Sequence, residues 1–271
     1  MKRMFGKAAA ALAVAATLLP VGAIAQVSDN WTVEASINGY LPTIGGKTTF
    51  PSNGGGSDLG MDVGTILDHL KMVFMGSIEV RKGLWGGFLD VLYLDLGASK
   101  SGFRDLTIGG VDLPVGASAN ASFDIKSTVA TLASTYRAIA TPEATLDVLG
   151  GVRHLKLRES LDYSIVGNVG PIPLPGRAGS RRVGQDSWDA VIGAKGNVFF
   201  GDEKKWFAPY YADIGTGNSQ LTYQLQGGVG YAFTWGDITG SWRYLDYNMK
   251  SGGPIESLHL NGPQIAATFR W

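Results

Sequence analysis

The sequence predicts an all-β protein: a closed antiparallel up-and-down transmembrane β-barrel of about ten strands, or about eight if one hairpin is misread, with a short helix in the first long loop. Three observations carry this expectation. Long runs alternate residue by residue between an apolar and a polar face, the connections between runs are alternately long and short, and aromatic residues gather on the apolar face near strand ends. The alternation is clearest from Leu221 to Tyr247. Leu221, Tyr223, Leu225, Gly227, Val229, Tyr231 and Phe233 share one side of an extended strand, against Thr222, Gln224, Gln226, Gly228, Gly230 and Ala232. After Trp235-Gly236-Asp237 the scheme repeats, with Ile238, Gly240, Trp242 and Tyr244 opposed to Thr239, Ser241 and Arg243. Two alternating runs joined by a Gly-Asp turn make a β-hairpin.

The compartment follows from the start of the chain. Met1 to Ala25 has a basic opening (Lys2, Arg3, Lys7), an apolar stretch from Ala8 to Leu19 and the small-residue ending Ala23-Ile24-Ala25. That is the pattern of a secretory signal cut before Gln26, so residues 1–25 are expected to be removed and residues 26–271 to form one barrel domain. With 0 Cys there is no disulfide framework, cysteine-zinc site or lipid attached through Cys. Equal numbers of basic and acidic residues, 23 each, imply no attraction to nucleic acid. No later segment reaches the roughly twenty consecutive apolar residues of a spanning helix. The 39 Gly and 7 Trp, with many turn signals, fit closely spaced strands instead.

Taken in order, Trp31, Val33, Ala35 and Ile37 alternate with Thr32, Glu34, Ser36 and Asn38 in a first strand that ends at Leu41-Pro42. Gly45 to Ser57 has no period and reads as loop. From Asp58 to Leu70, the positions Met61, Ile66, Leu67 and Leu70 predict one side of a short helix. Phe74 to Arg81 and Trp85 to Tyr93 form a second hairpin about Lys82-Gly83, and Gly97 to Ala121 is expected to be a long polar connection. Phe123 to Tyr136 and Leu146 to Arg153 pair across Thr141-Pro142-Glu143, and Lys156 to Asp186 is expected to be another long connection. Trp188 to Val198, the charged turn Gly201-Asp202-Glu203-Lys204-Lys205, and Trp206 to Ile214 lead back to the central hairpin. The last strand is Leu258 to Trp271.

The face that meets lipid is set by two regularities. Membrane barrels carry long loops on one side and short turns on the other, with both ends of an even-stranded barrel on the short-turn side. Trp31, Trp85, Tyr93, Tyr136, Trp188, Trp206, Tyr231, Phe233, Trp242, Tyr244, Phe269 and Trp271 fall mainly on the apolar face near strand ends, as interfacial girdles require. A soluble lipocalin-like barrel would bury its aromatics around a ligand instead.

At the carboxyl end Ile265, Ala267, Phe269 and Trp271 alternate with Gln264, Ala266, Thr268 and Arg270. This resembles the terminal-strand signature of Gram-negative outer-membrane β-barrel proteins, with Trp in place of the more familiar final Phe. Tyr211-Ala212-Asp213-Ile214-Gly215-Thr216-Gly217-Asn218-Ser219 and Trp242-Arg243-Tyr244 are similar to small barrels of the OmpA-like and OmpW-like type. The resemblance implies residence in the outer membrane, and delivery by the barrel assembly machinery with Phe269 and Trp271 as the assembly signal. Contact with outer-membrane lipid and lipopolysaccharide is expected, as is a monomer. A two-domain tethering role is not.

The assigned faces turn Glu34, Glu79, Asp90, Asp147, Arg153, Asp189, Lys195, Asp213, Arg243 and Arg270 inward. Mixed charges in a narrow interior are expected to pair, because an unpaired charge there costs several kcal/mol. The expected function is therefore structural, or a narrow porin-like passage for small polar solutes through a largely plugged lumen. Alternatives are a barrel-embedded hydrolase or lipid-modifying enzyme, and an adhesin acting through the long loops. Of the three histidines, His69, His154 and His259, only His259 sits near Ser257 and Glu256, and strand alternation separates Glu256 from His259. The expectation is no enzymatic activity, no catalytic residue, no metal site and no cofactor.

Overall fold

The structure is a computed structural model that describes residues 29–48, 57–61, 68, 70–103, 117–169, 172–173, 177–253 and 255–271. Its barrel strands are β1 (Trp31–Tyr40), β4 (Leu70–Lys82), β5 (Trp85–Phe103), β6 (Ala117–Ala140), β7 (Ala144–Val169), β9 (Arg177–Phe200), β10 (Trp206–Gly217), β11 (Ser219–Ala232), β12 (Gly236–Met249) and β13 (Ile255–Arg270). Each pairs antiparallel with the next, and β1 closes the ring on β13 from Glu34↔Arg270 to Tyr40↔Gln264. The result is a closed ten-stranded up-and-down barrel. Closure removes the unpaired edges that a sheet cannot leave open in lipid.

Three short strands complete the sheet. β2 (Thr43–Thr48) pairs with β13 in the register that β1 sets, Tyr40↔Gln264 being followed by Thr43↔Asn261. The predicted end at Leu41-Pro42 is thus an interruption in one long strand. Proline has no N–H to give the ladder, while the Leu41 N–H still donates to the Pro263 carbonyl at 3.0 Å. β3 (Ser57–Met61) pairs with β2, and β8 (Ile172–Pro173) with the far end of β7. The helix expected from Asp58 is therefore a strand as far as Met61. Leu70 opens β4, and Ile66 and Leu67 lie outside the described residues.

Gly83-Leu84, Thr141–Glu143, Gly201–Lys205 and Phe233–Trp235 turn the chain tightly at the barrel end that also carries Trp31 and Trp271. Gly83 (φ 59°) and Gly201 (φ 78°) supply the left-handed backbone that two of these turns need. At the opposite end β5, β6, β7 and β9 run to 19, 24, 26 and 24 residues. A tilted crossing takes only about 9 to 11, so one side of the wall stands well clear of the membrane. This corrects the two connections expected over Gly97 to Ala121 and Lys156 to Asp186. Residues 97–103 and 117–121 of the first, and 156–169, 172–173 and 177–186 of the second, are strand, because backbone pairing continues above the bilayer, where no lipid enforces a contrast between faces; the rest of both lies outside the described residues.

The outer surface is an apolar belt. Ile192, Ile37 and Ile265 are 68%, 66% and 62% exposed, values that make sense only against lipid. Rings bound the belt: Trp85 meets Tyr136 and Trp206 meets Tyr231 at centroid distances of 5.0 Å near the short turns. Near the opposite edge Trp188 stacks on His154 at 4.2 Å and Tyr223 lies 5.7 Å from Tyr244. Inside, the lumen has two layers. Its long-loop half is an apolar core that includes Leu92, Leu94, Val129, Leu155, Leu245, Tyr247 and Leu260, while the half nearer the short turns is polar and charged.

Candidate functional site

All ten charged residues placed inward by alternation lie on the inner face of their strands, Glu34 and Arg270 at its open rim. They fall into three tiers. The innermost centres on Arg153, whose side chain, like that of Asp213, is 0% exposed. The Arg153 guanidinium pairs with Asp213 and donates to Thr131 Oγ1 at 3.0 Å and to Thr222 Oγ1 at 3.3 Å. Asp213 also accepts from the Tyr211 hydroxyl and, at 3.1 Å, from the Gln224 backbone N–H. Beside it Arg243 grips Asp90 with both terminal nitrogens, at 2.6 and 3.3 Å, and donates to Gln224 Oε1 at 3.0 Å. Gln224 joins the two pairs into one buried layer across the lumen. Additional hydrogen bonds to the remaining lone pairs and protons offset the cost of burying such pairs, and within this layer the Arg243 Nε–H is the donor left without a partner.

The second tier is a chain of alternating sign. Lys195 pairs with Glu79, Glu79 with Arg81 at 2.5 Å, Arg81 with Asp147 at 2.6 Å, and Asp147 with Arg137. It crosses the ladder from β4 through β6 and β7 to β9, and Lys195 also sits 4.2 Å over the Phe88 ring. The third tier is the rim, where Arg270 reaches Glu34 at 3.0 Å and Asp237 at 2.5 Å. Asp189 is the exception among the ten. It makes no ion pair among the described residues, although Arg153 stands opposite it in the ladder, and it accepts the Ser219 N–H at 2.8 Å and the Ser187 hydroxyl at 3.4 Å.

Between the first and third tiers lies a cavity of about 540 Å³, open at the end that carries the short turns. Asp90, Tyr211 and Gln224 form its floor, the charged chain one wall, and Asn38, Gln226 and Gln264 part of the other. Beyond the floor the apolar core fills the barrel. The arrangement is a polar vestibule, open at the short-turn end and floored by the buried layer.

Several of these residues escaped the sequence reading. Arg81 and Arg137 follow the inward parity but stand next to turns, Asp237 was absorbed into the Gly-Asp turn, and Tyr211 and Gln224 carry no charge to draw attention. The apolar core was also missed, although Val91-Leu92-Tyr93-Leu94 breaks the alternation because both faces there are apolar. Of the histidines, His154 pairs with Asp186 at 2.9 Å on the outer face, His259 lies 6.4 Å from the Tyr244 ring, and His69 is outside the described residues. Ladder registry shifts between Ile255 and Ser257, so strict alternation does not hold through Glu256.

The belt, the closed ladder and the charged interior define a membrane-spanning up-and-down β-barrel of the outer-membrane type. No protein-family model and no curated protein matches the chain. Solved structures do. The outer membrane protease OmpT from Escherichia coli is 10% identical, with 91% of this chain and 97% of that one covered and a TM-score of 0.46. Ail, the attachment invasion locus protein of Yersinia pestis, solved with the heparin analogue sucrose octasulfate, is 11% identical over 89% and 98%, with a TM-score of 0.33. The translocator domain of autotransporter NalP from Neisseria meningitidis is 14% identical over 99% and 95%, with a TM-score of 0.35. At these identities the likeness concerns the fold alone. It does overturn one expectation: with a protease among the similar barrels, the shortage of paired histidines no longer excludes enzymatic activity for this chain.

Proposed function

We propose that the protein is an outer-membrane barrel shut to bulk flow at rest, a structural element whose polar vestibule admits small polar solutes from the periplasmic side and passes them poorly. The observation that carries this reading is the buried layer Arg153–Asp213 and Arg243–Asp90 lying beneath the apolar core. A solute crossing there must displace charges that have no solvent to replace their partners. The same reading has the chain exported with residues 1–25 removed, and delivered to the membrane by the barrel assembly machinery through the last strand with its Phe269 and Trp271. It then works as a monomer among outer-membrane lipid and lipopolysaccharide.

Planar-bilayer recording tests the closed lumen. The purified barrel is expected to give no resolved current steps. A variant that empties the apolar core, Leu155→Ala/Leu245→Ala, is expected to give small ones. Large, regular steps from the unaltered protein would overturn the proposal.

A further inference from the structure

The vestibule is lined by charges, yet it has none to spare. Every charged side chain of its wall already holds a partner of opposite sign: Lys195 and Arg81 hold Glu79, Arg81 and Arg137 hold Asp147, Arg270 holds Glu34 and Asp237, and Arg243 holds Asp90 from the floor. The anions and cations of this set balance. An ionic ligand would have to take one charge from its partner and leave the other half unpaired in a partly desolvated wall, which is strongly unfavourable.

What the wall does offer is hydrogen-bonding capacity of both kinds, side by side. Ion-paired carboxylates keep free lone pairs, and ion-paired guanidinium and ammonium groups keep free protons. Round the rest of the wall, five neighbouring strands present hydroxyls or an amide: Ser77 of β4, Ser36 of β1, Thr268 of β13, Thr239 of β12 and Gln226 of β11. The short side chains among them leave space on this side of the lumen. The other side is filled, with Phe88 lying 6.1 Å from Tyr211 and packed against Ala133, Leu149 and Tyr211. Phe88 is only partly buried, and both rings line the cavity. A hydroxyl group both donates and accepts, so neighbouring hydroxyls can bridge a carboxylate and a guanidinium without breaking the pair between them. The C–H face of a sugar ring suits an aromatic wall.

We infer that the vestibule is a binding site for a neutral saccharide of one or two sugar rings, entering from the short-turn end. The volume of about 540 Å³ falls within the range of about 300–1,000 Å³ typical of ligand pockets. Ligand hydroxyls bridge Glu79, Asp147 and their cations on the charged wall, Gln226 and the serine and threonine hydroxyls meet the opposite edge, and Phe88 and Tyr211 take the C–H face. The site rests on the closed lumen proposed above, because the layer Arg153–Asp213 and Arg243–Asp90 makes it an end point for the ligand instead of part of a passage.

The test uses the full barrel in zwitterionic lipid nanodiscs free of sugar-headed detergent, with glucose, maltose, glucuronate or glucosamine added at mildly acidic pH. Saturation-transfer NMR reports contact, and titration gives the dissociation constants. Glucose and maltose are expected to bind, and the anionic and cationic analogues to bind about tenfold more weakly or worse. Phe88→Leu should weaken maltose binding about fivefold, while Phe200→Leu, on the outer face, should leave it unchanged. Where Phe88→Leu does not fold, Gln226→Ala carries the same expectation. Gln226→Cys separates this site from the closed lumen: a water-soluble maleimide is expected to label it, and maltose to slow the labelling. Labelling that neither sugar slows, or glucuronate or glucosamine binding as tightly as glucose, would overturn the inference whatever the bilayer recordings show. Protection by maltose together with large, regular current steps would leave the site and overturn the closed lumen.

Discussion

Arg153 and Asp213 meet where no water reaches either side chain, so each depends on the other for its charge. Arg153→Met is expected to lower stability by about 3–5 kcal/mol, since it leaves a buried carboxylate without its cation. Arg153→Met/Asp213→Leu should recover most of that loss, because removing both partners removes the desolvation cost with them. Asp189→Asn, which keeps an acceptor for the Ser219 N–H, should cost about 1 kcal/mol or less. Denaturant unfolding in detergent micelles separates these three outcomes. A second contrast lies in two adjacent glycines. A Cβ at Gly151 would come within 2.0 Å of the Leu132 carbonyl oxygen, whereas one at Gly150 would meet nothing within 4 Å. Gly151→Ala should therefore destabilise by about 1–3 kcal/mol through overpacking, and Gly150→Ala should change stability by about 0.5 kcal/mol or less. At this scale the inward charges were legible because strand parity alone decides which way a side chain points. Asp237 was not, because a residue at the edge of a turn has no parity to read.

Strand lengths decide what stands outside the membrane. β6 and β7 run 24 and 26 residues, so their ends near Ala117 and Val169 lie far beyond the belt. Among the described residues the apolar core reaches no further than Ile125 on β6 and Leu157 on β7, and above it water competes for the ladder's hydrogen bonds. Amide exchange in Ala117–Asp124 and Leu161–Val169 is therefore expected to be faster than in Val129–Thr135 and Asp147–Leu155, which lie within the closed band. Mass spectrometry of deuterated fragments reads this directly, and equal protection along both strands would contradict it. The sequence made the membrane portions of these strands visible, since lipid on one side and charge on the other force a contrast every second residue. It hid their extensions, where Gly, Ser and Ala alternate without contrast and the ladder rests on backbone pairing that leaves no hydropathic trace. The helix predicted from Asp58 gives way to strand as far as Met61, because β2 offers Ser57–Met61 a ladder partner; Asp68 is helical, and 62–67 lie outside the described residues.

The molecule as a whole is a cylinder with two opposite solvents. Lipid outside demands apolar residues around the full belt, and the narrow interior is filled by an apolar core above and a paired-charge layer below. Leu245 lies in that core with 0% exposure, and Leu245→Ala is expected to cost about 2–5 kcal/mol in thermal or denaturant unfolding. The architecture was legible from the sequence because closure, parity and girdles all leave periodic marks. The stopper was not, since apolar residues on the inner face merge with the lipid-facing ones into unbroken runs. The measurement that bears most directly on the inversion of faces uses the absence of native cysteine, 0 in the chain. Gln224→Cys, Leu225→Cys, Gln226→Cys and Val229→Cys, each spin-labelled in liposomes, report whether a position meets lipid-dissolved oxygen or a water-soluble relaxant. The account predicts strong relaxation by oxygen at 225 and 229 and little at 224 and 226; the reverse pattern, with 224 and 226 in lipid, would contradict it.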